Sequence, residues 1–139
     1  MLISIMLNRF LPYLLGYEWF ESDPQLARDC QTTLACLSRT QLTVNTIQDL
    51  SHSIRDSLEA GSWRTRLATL DFLQTVIFNN FMLICSINIC SSVRDEVINM
   101  VMKCLNDVQI EVRVKAAQVL EFFLNKDFYR NLPKSLICI

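Results

Sequence analysis

The sequence predicts an all-α chain, a segment of α-solenoid with about five to six antiparallel helices. Three observations carry this reading. Gly and Pro number only 2 and 3 in 139 residues, so the turn residues on which β-rich or disordered chains depend are scarce. Apolar residues recur at three-to-four spacing in five successive stretches. Two of those stretches repeat one residue pattern at an offset of 47 positions.

The first 15 residues are apolar, but they lack a basic leader and are interrupted by Asn8, Arg9 and Pro12. They are expected to form an N-terminal helix over about 2–15 rather than a cleaved signal. Asp23-Pro24 opens the next helix, over about 24–39: Asp accepts from free helical amides, Pro fits the first turn, and Leu26, Cys30, Leu34 and Leu37 form the stripe. Thr43 caps a helix with the stripe Val44, Ile47, Leu50, Ile54 and Leu58, and Gly61 is expected to stop it in the left-handed conformation. Ser62 then opens a long helix through Trp63, Leu67, Leu70, Leu73, Ile77, Phe81 and Ile84. Its second stripe, Phe72, Val76 and Leu83, requires cover on both sides. Ser92 with Asp95 predicts a capped start for the stripe Val93, Val97, Val101 and Leu105, and Asp107 caps a last helix over 109–124. These divide one domain, 1–139, into repeats at about 24–59 and 62–106, the last helix, and an irregular tail at 129–139.

The functional classes narrow by composition. Thirteen basic and 14 acidic residues are scattered, for a net charge of −1, so no basic stripe predicts direct contact with nucleic acid. The apolar run 76–87 is shorter than the ~18 residues of a membrane span and contains Asn79 and Asn80, so no membrane partner is expected. Six cysteines show no CxxC or Cys/His spacing and read as small core hydrophobes in a reducing compartment, with no metal site. The single histidine, His52, lies on the polar edge between Ser51 and Ser53. Asp95 and Glu96, adjacent on a helix, diverge and suit its N-terminal turn. Neither residue set assembles a nucleophile with a base, and no enzyme is predicted.

The 47-residue offset relates Arg66, Leu70 and Leu73 to Arg113, Ala117 and Leu120, within the period of HEAT and armadillo repeats. In Asp107-x4-Val112-Arg113-x2-Ala116-Ala117-x2-Leu120 the acid, the Arg, the small pair and the Leu occupy the turn and second helix of such a unit. An Arg in each unit can bridge to the acid of the next, so Trp63, Arg66, Leu73, Asp107, Val112, Arg113, Ala116 and Leu120 are read as structural repeat positions.

The stretch Ser62-Trp63-x-x-Arg66 to Leu73-Gln74-Thr75-x-x-Phe78-x-Asn80, followed by 107–124, resembles the large HEAT-repeat activators of the proteasome core particle, and Asp23-Pro24-x-Leu26-x-Arg28-Asp29-Cys30 fits a preceding repeat. The resemblance covers about residues 23–128. It implies a non-catalytic part of an ATP-independent activator that docks on the core-particle α-ring and admits peptides and acetylated histones, in nucleus and cytoplasm. It also implies inositol phosphate as a ligand of full-length members; here Arg64, Arg66, Arg94, Arg113 and Lys115 are spread over three helices, so no cofactor is expected. The family's acetyl-lysine segment aligns its Asn-Phe pair with Asp127 and Phe128, and a carboxylate cannot donate the hydrogen bond of an amide. Members end in a motif with a penultimate Tyr, whereas this sequence ends Ile137-Cys138-Ile139, so the chain alone is not expected to open the gate. Two alternatives stand beside this: a generic HEAT or armadillo adaptor for a protein partner, and a truncated remnant without activator activity.

Overall fold

A computed structural model describes residues 11–17, 22–59, 61–80 and 87–124, the side chains of 17, 87–91 and 124 excepted. Six helices follow in order: α1 Leu11–Tyr17, α2 Pro24–Ser38, α3 Val44–Leu58, α4 Trp63–Asn79, α5 Ile87–Cys104 and α6 Ile110–Leu124. None of the described residues is in a strand. The all-α, HEAT-like expectation therefore stands.

The starts of α2 and α3 follow their capping residues. Asp23 accepts from the Leu26 amide at 3.0 Å with Pro24 in the first turn, and the Thr43 side chain accepts from the Thr46 amide. Other boundaries differ from the expectation. Gly61 is not left-handed: α3 ends on Glu59 at φ −90° and ψ −1°, a right-handed cap whose amide returns to Arg55 O at 3.1 Å, so the turn needs no positive φ. Ser92 does not start a helix. It lies inside α5, which begins five residues earlier, and because it is exposed its hydroxyl costs the helix little there. Ser62 precedes α4 but makes no side-chain cap; its carbonyl accepts from the Arg66 amide instead. Most of the predicted N-terminal helix, the stretch 81–86 and the tail lie outside the described residues.

The helices form two layers. α2, α4 and α6 run side by side in one, while α3 and α5 lie in the other with α1 packed against α2, α3 and α4. α4 touches α1, α2, α3 and α6, which explains why its sequence carries two apolar stripes: Leu70, Leu73 and Ile77 are buried, and so are Phe72 and Val76. One continuous core joins Leu11 and Leu15 of α1 through Ile54 and Ile77 to Val101, Val112 and Phe123. Each such side chain contributes about 1.5–3 kcal/mol by leaving water. Where α3, α4, α5 and α6 meet, a residual apolar cavity of only ≈ 20 Å³ remains between Ile54, Val97 and Phe123, so the packing is nearly complete.

Candidate functional site

Three of the eight repeat positions, Arg66, Asp107 and Arg113, meet at one polar junction between the α4 and α6 units. Arg66 is the fourth residue of α4, which aims its guanidinium beyond the start of the helix toward the α5–α6 turn. There its Nε donates to Asp107 Oδ2 at 2.6 Å and its Nη2 to Oδ1 at 3.0 Å, a bidentate fork between side chains only 16% and 9% exposed. Nη1 donates to Gly61 O at 3.2 Å. Asp107 Oδ1 also accepts from the Gln109 amide at 2.9 Å, so the carboxylate orders the turn before α6 rather than capping the helix, which begins at Ile110. The Arg66 hydrogen bonds hold the Asp107 carboxyl below the usual carboxylate range; burial opposes the shift, while the Gln109 amide and the charges of Arg66 and Arg113 assist it.

Arg113, the fourth residue of α6, reproduces half of this arrangement. Its Nη1 donates to Asp107 O at 2.7 Å and to Val108 O at 3.1 Å. The bonds Arg66 to Gly61 and Arg113 to Val108 are one contact displaced by 47 residues, so the spacing seen in sequence is a spacing of hydrogen bonds.

The other predicted repeat positions are core. Leu73, Val112, Ala116 and Leu120 are buried, whereas Trp63 is half-buried with the Arg64 guanidinium 5.5 Å from its ring centroid. Asp127 and Phe128 lie outside the described residues.

Sequence reasoning missed the structural role of the adjacent pair Asn79 and Asn80, which it used as polar interruptions of an apolar run and, for Asn80, as a position of the resemblance. Asn79 Nδ2 donates to Ser38 O at 3.0 Å, across from α4 to the end of α2. Buried Asn80 accepts from the Leu42 amide at 2.7 Å and donates to Thr40 O at 3.1 Å, clamping the α2–α3 turn. The side-chain amide places a donor and an acceptor on separate atoms and so reaches both groups at once, and the available clue was a neighbouring pair of Asn at a helix end facing a Ser/Thr-rich turn. Lys115 supplies a third cross-link to α4, donating to Gln74 Oε1 at 3.1 Å and pairing with Asp71 at 2.6 Å.

The five cations weighed as an anion site do not converge. Arg64 lies on Trp63, Arg66 on Asp107, Arg94 beside Asp95 at 3.8 Å, Lys115 on Asp71, and Arg113 on backbone carbonyls. His52 is exposed, and Asp95 and Glu96 pair with different arginines, Arg94 and Arg55. Buried Cys104 donates to Met100 O at 3.5 Å; burial and the Asp107 charge push its thiol up, away from a reactive thiolate, with Arg66 opposing. Among the described residues no group of His, Cys, Asp or Glu could hold a metal ion, and no helix is long and apolar enough to cross a membrane.

The class of protein these features define is a stack of helix pairs fastened by polar cross-links. The relatives give the class a family. The chain is 32% identical over 124 residues to proteasome activator complex subunit 4B of Danio rerio, 86% of this chain and 7% of that protein. It is 30% identical over 124 residues to subunit 4A of the same organism, 86% of this chain and 6% of that protein, and 29% identical over 104 residues to proteasome activator complex subunit 4 of Homo sapiens, 75% of this chain and 6% of that protein. The chain belongs to the proteasome activator complex subunit 4 family. It spans about 7% of the length of the first of these relatives. No protein-family model matches the chain, and no solved structure matches it significantly.

Proposed function

We propose that the chain is a non-catalytic scaffold segment of an ATP-independent proteasome activator, contributing a stretch of helix-pair wall to an assembly that binds the core particle at its α-ring. Peptides and acetylated histones are the substrates such an assembly admits, in nucleus and cytoplasm. The single observation that carries this reading is the match over 86% of the chain to relatives named as proteasome activator subunits. The geometry agrees with it in kind: the charged groups of highest chemical interest, Arg66 and Asp107, are consumed in holding one helix pair to the next. An isolated segment of this sort supplies surface and rigidity rather than a reacting group.

Asp127, where the resemblance places an amide, leaves this segment without the donor that an acetyl carbonyl would need, so histone selection in this reading falls to other parts of the assembly.

The test is recovery from native extract with an antibody raised against residues 62–81, followed by sedimentation. Co-sedimentation of core-particle α-ring subunits with the recovered chain, resistant to moderate salt, is the expected result. Recovery of the chain at high yield with no core-particle subunit would overturn the reading. In a separate assay, the purified 139-residue chain added to core particle is expected to leave peptide hydrolysis unchanged, since it spans only about 7% of the length of a relative named as an activator subunit. Dose-dependent stimulation at micromolar chain would refute that second statement.

A further inference from the structure

Along the side of the stack, between α4 and α6, lies an open groove of ≈ 540 Å³, on the opposite side of α6 from its buried Val112, Ala116 and Val119. Its floor is apolar. Leu67 of α4 is half-buried, and Ile110 and Val114, one turn apart on α6, are 59% and 50% exposed. Its rim carries two carboxylates, Asp71 and Glu111, against one ammonium. That ammonium is already neutralised: Lys115 Nζ pairs with Asp71 at 2.6 Å and donates to Gln74 Oε1 at 3.1 Å. Asp71 is 61% exposed and so remains open to a second cation. Glu111 is exposed, with no ion-pair partner among the described residues. Its place in the first turn of α6 suits the helix dipole, but the dipole leaves both of its oxygens available.

We propose that this groove is a docking site for an amphipathic helix of a partner protein, one that inserts an apolar stripe and carries lysine or arginine along its flanks. The floor supplies the attraction and the rim the selection, since two carboxylates against one spent ammonium repel acidic flanks and draw basic ones. The α6 wall from Ile110 to Gln118 rises about 12 Å, enough for two turns of a helix laid in the groove. A second copy of this chain is a poor occupant, because its α6 would bring Glu111 and Glu121 against the same acidic rim. The site uses neither end of the stack and requires no core particle, so it stands apart from the proteasome reading.

The test titrates a fluorescein-labelled helical peptide of leucine and lysine, with leucines at i, i+3, i+4 and i+7, into the purified full chain and follows anisotropy. A counterpart with every lysine replaced by glutamate is the control. Saturable binding at one peptide per chain is expected, with the leucine–glutamate peptide about tenfold or more weaker. Ile110→Asn/Val114→Asn is expected to weaken the leucine–lysine peptide about tenfold or more, with the melting temperature nearly unchanged because both side chains are at least half exposed. Glu111→Gln should weaken it about two- to fivefold at low salt, and this difference should vanish at high salt. Val108→Asn, which alters a side chain 88% exposed but outside the groove, should change nothing.

Absence of saturable binding would overturn the proposal, as would equal affinity for the two peptides or full affinity of the double variant. So would an equal loss from Val108→Asn, which would place the peptide on the α5–α6 turn. Self-association of the free chain that the double variant abolishes would assign the groove to a second copy and overturn it as well.

Discussion

Asp107 ties Arg66, the turn before α6 and Arg113 together. It faces Arg66 through both oxygens, orders the Gln109 amide, and feels the charge of Arg113. Removing Arg66 would leave a mostly buried carboxylate unpaired, so Arg66→Ala is expected to cost about 2–4 kcal/mol in chemical denaturation at pH 7. The pH dependence follows from the depressed acidity. Because the folded-state pKa lies below the ordinary 3.8, the unfolded chain binds more protons as pH falls through that value. The pair's contribution is therefore complete well above pH 3.8 and disappears as pH drops from there through the folded-state value. Denaturation midpoints measured from pH 6 to pH 2.5 should fall more steeply for the native chain than for Asp107→Asn; parallel curves would show that this carboxylate does not contribute to acid lability. Arg66 and Asp107 were legible as a pair in the sequence because their types and spacing match a ladder. That Asp107 orders the turn and does not cap α6 was not legible, since both roles use the same residue in the same place.

At the scale of elements, the helices and their buried faces could be read almost directly. Period-3.6 stripes identify α2, α3, α4 and α6, and the doubled stripe of α4 anticipates its four neighbours. Helix ends were harder. Ser92-Asp95 has the form of a start, yet the helix begins five residues earlier, at Ile87. Gly61 has the form of a left-handed stop, yet no positive φ is used and nothing lies within 4 Å of where a Cβ would stand. Gly61→Ala is therefore expected to stabilise the chain by about 0.4–1 kcal/mol, through the narrower unfolded ensemble, with a raised melting temperature as the readout. Destabilisation there would mean that the turn samples the left-handed region. The Asn80 clamp is the opposite case: Asn80→Ala orphans the Leu42 amide and Thr40 carbonyl together and is expected to cost about 2–4 kcal/mol. Asn80→Asp keeps the acceptor, loses the donor and buries a charge, so it should be no milder. Hydrogen exchange at the Leu42 amide would localise the loss, and unchanged protection there would refute the clamp.

On the scale of the whole molecule, the helices bind chiefly to near neighbours in the chain. α6 rests on α4 and α5, α5 on α3 and α6, and the cross-links span about 40 residues each time: Asn79 to Ser38, Arg66 to Asp107, Lys115 to Gln74. The fold class was legible for this reason, since a periodic sequence can only specify a periodic stack. The surfaces were not, because an exposed Ile110 and a buried Val112 are alike in composition and differ only in which way the helix turns them.

The same spacing has a mechanical consequence. A stack whose polar fasteners each join one helix pair to the next has none that runs its full length, so a pull on its two ends loads the junctions in series. The chain should give way one helix pair at a time, in steps of roughly equal length, with the Arg66–Asp107 fork acting as a rivet that sets the threshold at its own seam.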